Sequence, residues 1–219
     1  MEIGIFGKLP DQRDYVQHGM DAALMSKVDR WLQECLQTSK EQLDKEWLGV
    51  YLSAPIWRFW LGPDIIGKSA LGALMPSVDG VGRYFPLMLA AVDEHPLDVP
   101  EFEPQEAWFQ SAEAILLNAL AEEGTYRGLL DDISTMPYPL RGLGGAPPSP
   151  DSRIALANLR LARQHEFYSS LSFWWSPPVG DTGAPAQAFM WKGMPPPHEY
   201  AMLLSAPYTQ QQSQVSGGV

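Results

Sequence analysis

Cysteine occurs once in this 219-residue sequence, at Cys35. That excludes an internal disulfide framework and a cysteine-built metal cluster. Charged residues are sparse, at 19% against 45% hydrophobic, which excludes a disordered chain and predicts a packed core. The four histidines (His18, His95, His165 and His198) are scattered, and none stands at metal-ligand spacing from another. No G-x-S-x-G nucleophile elbow occurs. The longest apolar runs, such as Leu87 to Val92, are too short to span a bilayer. The opening MEIGIFGKLP lacks the basic start and long apolar stretch of a signal peptide. Positive charge is also short, with 15 Lys and Arg against 26 Asp and Glu, a net charge of −11. Such a balance argues against nucleic acid or an anionic membrane as partner. The expectation is a soluble, acidic, cytoplasmic chain with one domain over residues 1–208 and a flexible polar tail over 209–219.

Aromatic residues are abundant, with eight tryptophans, each wanting a core or interface position and a partner for its N–H. Ile3 to Phe6 reads as a short strand. Leu24, Val28, Trp31, Leu32, Cys35 and Leu36 recur at helical steps, and Asp21 can cap that helix. Leu43 and Trp47 continue the stripe, with Lys40/Asp44 and Glu41/Lys45 as i,i+4 pairs on the wet side. Val50 to Leu61 is rich in β-branched and aromatic residues and reads as a strand, with a bulge or edge at Pro55. Leu71 to Met75 and Tyr84 to Val92 read as buried strands around a turn-rich connection.

A second helix is predicted from the stripe Trp108, Ala112, Ile115, Leu116, Ala119 and Leu120, with Pro104 at its start and Gly124 at its stop. The Pro/Gly-rich segment 137–150 reads as a surface loop, and 151–164 as a helix. Ser170 to Trp175 and Gln187 to Trp191 read as hairpin strands, and Pro197 to Leu204 as a short terminal helix. Mixed strands and helices predict an α/β fold, a three-layer α/β/α sandwich around a mixed sheet.

The stretch GPDIIGKS, Gly62 to Ser69, matches the G-x-x-x-x-G-K-[ST] spelling of a phosphate loop, and Asp93 follows at the end of an apolar run. The match fails on physical grounds. Pro63 removes a backbone donor, Ile65 and Ile66 stiffen a backbone that must be permissive, and Gly72 and Pro76 leave little room for a helix. The segment is expected to be a turn between two strands. A nucleotide-dependent switch using Lys68 and Asp93 stays as the enzymatic alternative. Asp93-Glu94-His95 reads as a solvated strand-end cap, Glu122-Glu123 and Asp131-Asp132 as solvated helix ends, and Cys35 as an inert core thiol.

More informative are cations embedded among aromatics: Arg58 in PIWRFW and Arg83 in GRYFP. A guanidinium there must stack on a ring or meet a carboxylate. Asp79, between them in sequence, is the expected partner of both. Arg58 and Asp79 are expected to be structural, and Arg83 to face a partner.

The run GIFGKLP, then WLQ in a helix, YLSAPIWRFWLG, GALMPSVDGVGRYFPLMLA, SLSFWWS and GMPPPHEYAMLL resembles the TagF (ImpM) family of type VI secretion systems, in order from Ile3 to about Leu204. Two departures stand out: Arg13-Asp14-Tyr15 replaces a G-D-F-like triplet, and Gly80 replaces an arginine after P-S-V-D. The resemblance implies an α/β/α sandwich without enzymatic activity or cofactor. It implies a cytoplasmic, post-translational negative regulator that binds the forkhead-associated scaffold of the secretion machine. It further implies the stand-alone regulatory domain rather than a phosphatase fusion. A structural subunit of the apparatus is the remaining alternative. The motif residues Lys8, Trp57, Arg58, Ser77, Asp79, Arg83, Tyr84, Phe85, Trp174 and Trp175 are the candidate contacts.

Overall fold

The computed structural model describes residues 1–95, 97, 106–139, 168–176 and 187–205. The expectations for Pro104, for the helix at 151–164, for most of the loop at 137–150 and for the polar tail lie outside them.

The sheet is seven-stranded, in the order β2-β1-β5-β4-β3-β6-β7. Its strands are β1 (Glu2–Gly7), β2 (Val16–His18), β3 (Trp57–Leu61), β4 (Ser69–Met75), β5 (Leu87–Asp93), β6 (Leu171–Ser176) and β7 (Gln187–Lys192). Every pairing is antiparallel, which corrects the expected mixed sheet. The cause of the misreading is physical. Each residue of β3, β4, β5 and β6 is buried, so these strands read as unbroken apolar runs, the pattern common in parallel sheets. Helices coating both faces of an antiparallel sheet produce the same pattern.

The helices are α1 (Ala22–Leu43), α2 (Trp47–Ser53), α3 (Pro63–Ile66), α4 (Glu106–Leu120), α5 (Tyr126–Thr135) and α6 (Tyr200–Ser205). Asp21 caps α1 as expected, its carboxylate accepting from Leu24 N at 2.8 Å. The segment from Val50 is not a strand until Trp57. Trp47, Val50 and Tyr51 are buried at helical spacing in α2, and the Ala54-Pro55 pair ends it. The expected i,i+4 pairs are replaced too: Lys40 lies 4.6 Å from the Trp47 ring centre, and Glu41 accepts from Gln37. Tyr84 and Phe85 precede β5 rather than belonging to it, and Tyr84 makes only an isolated bridge to Val78. Asp131 and Asp132 sit within α5, not at its end. Asp93 is buried at 2% exposure, so only Glu94 and His95 answer to a solvated cap.

The core has two parts, one on each face of the sheet. Residues of α1, α2 and α6 pack with Phe59, Leu74, Met88 and Trp174, and residues of α4 and α5 pack with Trp60, Leu71, Leu89 and Trp175. Trp174 and Trp175 therefore face opposite ways, as strand alternation requires.

Candidate functional site

Two loops meet at the end of the sheet where β1 stops and β4 hands over to β5. The first follows β1 and carries Lys8 to Tyr15; the second carries Pro76 to Pro86. Ser77 ties them, its Oγ donating to the Lys8 carbonyl at 2.6 Å. The Gly80 amide donates to the Gln12 carbonyl at 2.8 Å. A Cβ at Gly80 would stand 2.8 Å from the Pro10 carbonyl oxygen, so the loops approach closely because this position has no side chain. From the side, Tyr51 of α2 donates its hydroxyl hydrogen to the Ser77 carbonyl and accepts from the Ser77 amide, both at 3.0 Å.

Asp79 is the centre of the pair. Its carboxylate accepts from Lys8 Nζ at 2.7 Å, Arg83 Nε at 2.7 Å, the Arg83 amide at 2.8 Å and the Val81 amide at 3.1 Å. Burial alone would raise this carboxyl's pKa. The Lys8 ammonium, the Arg83 amide and guanidinium and the Val81 amide hold it well below the usual carboxylate range. Asp79 is thus a permanently ionised anchor and a poor general base. Lys8 and Asp79 are buried, but the Arg83 side chain is 57% exposed. With two cations against one anion, the cluster carries one positive charge in excess, presented at the surface by Arg83.

Aromatic rings frame the cluster. Tyr15 stacks on Phe6 at 5.8 Å and meets Phe85 edge-on at 4.8 Å, and Lys8 Nζ lies 5.0 Å from the Tyr15 ring centre. Tyr84 turns the other way, onto Trp47 and Tyr51. Sequence reasoning missed Tyr51, whose place on the stripe with Trp47 was the available signal. It also left the loop-joining role of Gln12 unseen, since nothing in a backbone carbonyl's sequence context marks it.

The other candidates lie elsewhere. Arg58 does not pair with Asp79. It forks into two carboxylates of α4, donating to Glu106 at 2.7 and 3.1 Å and to Glu113 at 2.6 and 3.1 Å, with its carbon 5.3 Å from the Phe109 ring centre. Burial disfavours its charge, but the hydrogen bonds it donates to both glutamates outweigh this and hold the guanidinium protonated. The seven-residue spacing of Glu106 and Glu113 puts them on one helix face, two turns apart. Which strand that face covers is a tertiary fact. Trp57 is a core residue donating to the Leu203 carbonyl at 2.7 Å, and Trp174 and Trp175 are buried in the two core halves.

The phosphate-loop spelling folds as α3, one turn closed by Gly67 at φ 92°, and leads straight into β4. Lys68 pairs with Asp21 at 3.1 Å, and the buried Ser69 hydroxyl accepts from the Leu97 amide at 3.0 Å. A strand stands where the phosphate-facing helix would have to start.

Fold and site together define an α/β domain in which an antiparallel sheet carries a locked loop pair at one end, with the Arg83 guanidinium pinned at its surface. The chain belongs to the family described as the TagF N-terminal domain, type VI secretion system-associated, which it matches over residues 4–136. It is similar to the crystal structure of PA0076 from Pseudomonas aeruginosa PAO1, with a TM-score of 0.73 and 27% identity, covering 92% of this chain and 93% of that one. No curated protein matches the sequence. No helix of the described residues is long and apolar enough to cross a membrane.

Proposed function

We propose that this chain is a cytoplasmic, non-enzymatic, post-translational negative regulator of a type VI secretion system, acting by binding the forkhead-associated scaffold protein. It works without cofactor, and its layers form an α/β/α sandwich that serves as a rigid mount for the loop pair. The observation that carries this reading is the locked pair itself. Lys8, Ser77, Asp79 and Arg83 use their polar groups to hold two loops in one shape, and the side chain left reaching outward is a cation suited to recognition.

A regulator differs from a structural subunit in what its loss does. Deletion should leave the machine assembled and raise secretion of its substrates. Purified chain should retain the purified scaffold in a pull-down. Loss of secretion on deletion would favour the structural subunit, and absence of binding to the scaffold would remove that partner.

A further inference from the structure

Arg83 is both exposed and immobilised. Its Nε donates to Asp79 at 2.7 Å and its Nη2 to the Arg13 carbonyl, so the guanidinium plane is pinned from two sides. Both hydrogens on Nη1 remain without a partner among the described residues. An ordinary surface arginine loses side-chain entropy when a partner orders it, and here the fold has already ordered it. Two apolar side chains also stand out on the same loop pair: Tyr15 is 45% exposed and Val81 is 55% exposed. Tyr15 rests on Phe6 and Phe85, and the Val81 amide is held by Asp79, so neither is loosely placed. A fixed arginine on the same loop pair as an exposed tyrosine and an exposed aliphatic group is the composition of an interface centre.

From this we infer that the Tyr15–Val81–Arg83 patch seats one carboxylate of a partner protein, an Asp or Glu side chain, on the free edge of the Arg83 guanidinium. The inference rests on the binding reading above and names the chemistry of the contact. A planar carboxylate matches a guanidinium fork, whereas an ammonium offers no such plane. A doubly charged phosphate fits less well. Asp11 and Asp14 on the same loop outnumber its exposed Arg13, the whole chain carries −11, and the cluster beneath adds only one positive charge in excess. The net charge disfavours nucleic acid for the same reason.

The test measures binding of the purified forkhead-associated scaffold by titration calorimetry with Arg83→Ala, Arg83→Lys and Val81→Asp. Each variant is also scored for repression of secretion in cells lacking the native copy. Asp79 keeps Lys8 as partner in the arginine variants, and Val81 is exposed, so all three should fold; thermal melting checks this. Arg83→Ala and Val81→Asp should each weaken binding about tenfold or more, and Arg83→Lys should recover little of it. One scaffold Asp→Asn or Glu→Gln substitution should show no further loss when combined with Arg83→Ala. Folded Arg83→Ala that binds and represses like the parent overturns the inference, as does full rescue by Arg83→Lys. If the parent fails to bind the scaffold, the choice of partner falls. The patch then stands if Arg83→Ala and Val81→Asp still release secretion, and falls if they do not.

Discussion

Asp79 shows how one side chain can hold a site together without taking part in chemistry. Asp79→Ala would strand the buried Lys8 ammonium, which costs about 3–5 kcal/mol in comparable cases, and urea unfolding should read a loss of that size. The pH dependence has a definite sign. The Asp79 carboxyl is held below its unfolded value of about 3.9, so its contribution is complete above about pH 5 and is lost as pH falls through the unfolded value toward the folded one. The parent and Asp79→Asn should therefore converge in stability in acid. A gap that stays constant from pH 7 to pH 3 would locate the effect outside the ion pair. The Asp79–Arg83 contact was legible because the two lie four residues apart across a glycine-rich turn. The Arg58–Asp79 contact was misread because Asp79 lies in the turn between Arg58 and Arg83 in sequence, and sequence position does not say which helix covers a strand.

Among the elements, α1 and the central strands were plain, since an apolar stripe with an Asp cap and unbroken apolar runs leave few alternatives. The α2 helix was hidden by the β-branched and aromatic residues that fill it, although Trp47, Val50 and Tyr51 kept helical spacing. β2 contributes one buried residue, Val16, too little pattern to see. The contact that fastens α4 to the sheet makes a non-additive prediction. Glu106→Ala or Glu113→Ala alone leaves Arg58 one carboxylate, whereas the double substitution leaves a guanidinium of 3% exposure uncompensated. The double variant should lose about 3–5 kcal/mol, more than the sum of the singles; additive losses in denaturant midpoint would mean that each pair acts alone. At the α3–β4 junction, magnesium-ATP should leave the melting temperature unchanged, and Lys68→Ala should melt like the parent. A nucleotide at a hundred times its dissociation constant would add about 2.7 kcal/mol, so a shift abolished by Lys68→Ala would restore the nucleotide reading.

At the scale of the whole molecule, the two core halves share one sheet, and this governs how the chain unfolds. Trp31, Trp47, Trp57 and Trp174 report on one face, and Trp60, Trp108 and Trp175 on the other. Neighbouring residues of a strand serve opposite faces, as Trp174 and Trp175 do, so neither half can lose its strand surface without disturbing the other. The expectation is a single cooperative transition in which tryptophan fluorescence and far-ultraviolet circular dichroism coincide. Leu32→Ala in α1 and Leu116→Ala in α4 each empty a fully buried position, one per face. Each should cost about 2–5 kcal/mol and move the whole transition by both probes. A melt that splits into two steps, with Leu116→Ala displacing one alone, would show that the α4–α5 layer folds separately from the rest. In that case Arg58 and its two glutamates would be the joint between two units. Because Leu9 is buried in the α4–α5 half of the core and Asp11 accepts from the Tyr126 amide of α5 at 2.8 Å, the loop pair leans on both layers and should lose its geometry with the α4–α5 layer. Scaffold binding that persists after that first step would place recognition wholly in the α1–α2 half, whereas a single transition ties recognition to the integrity of both.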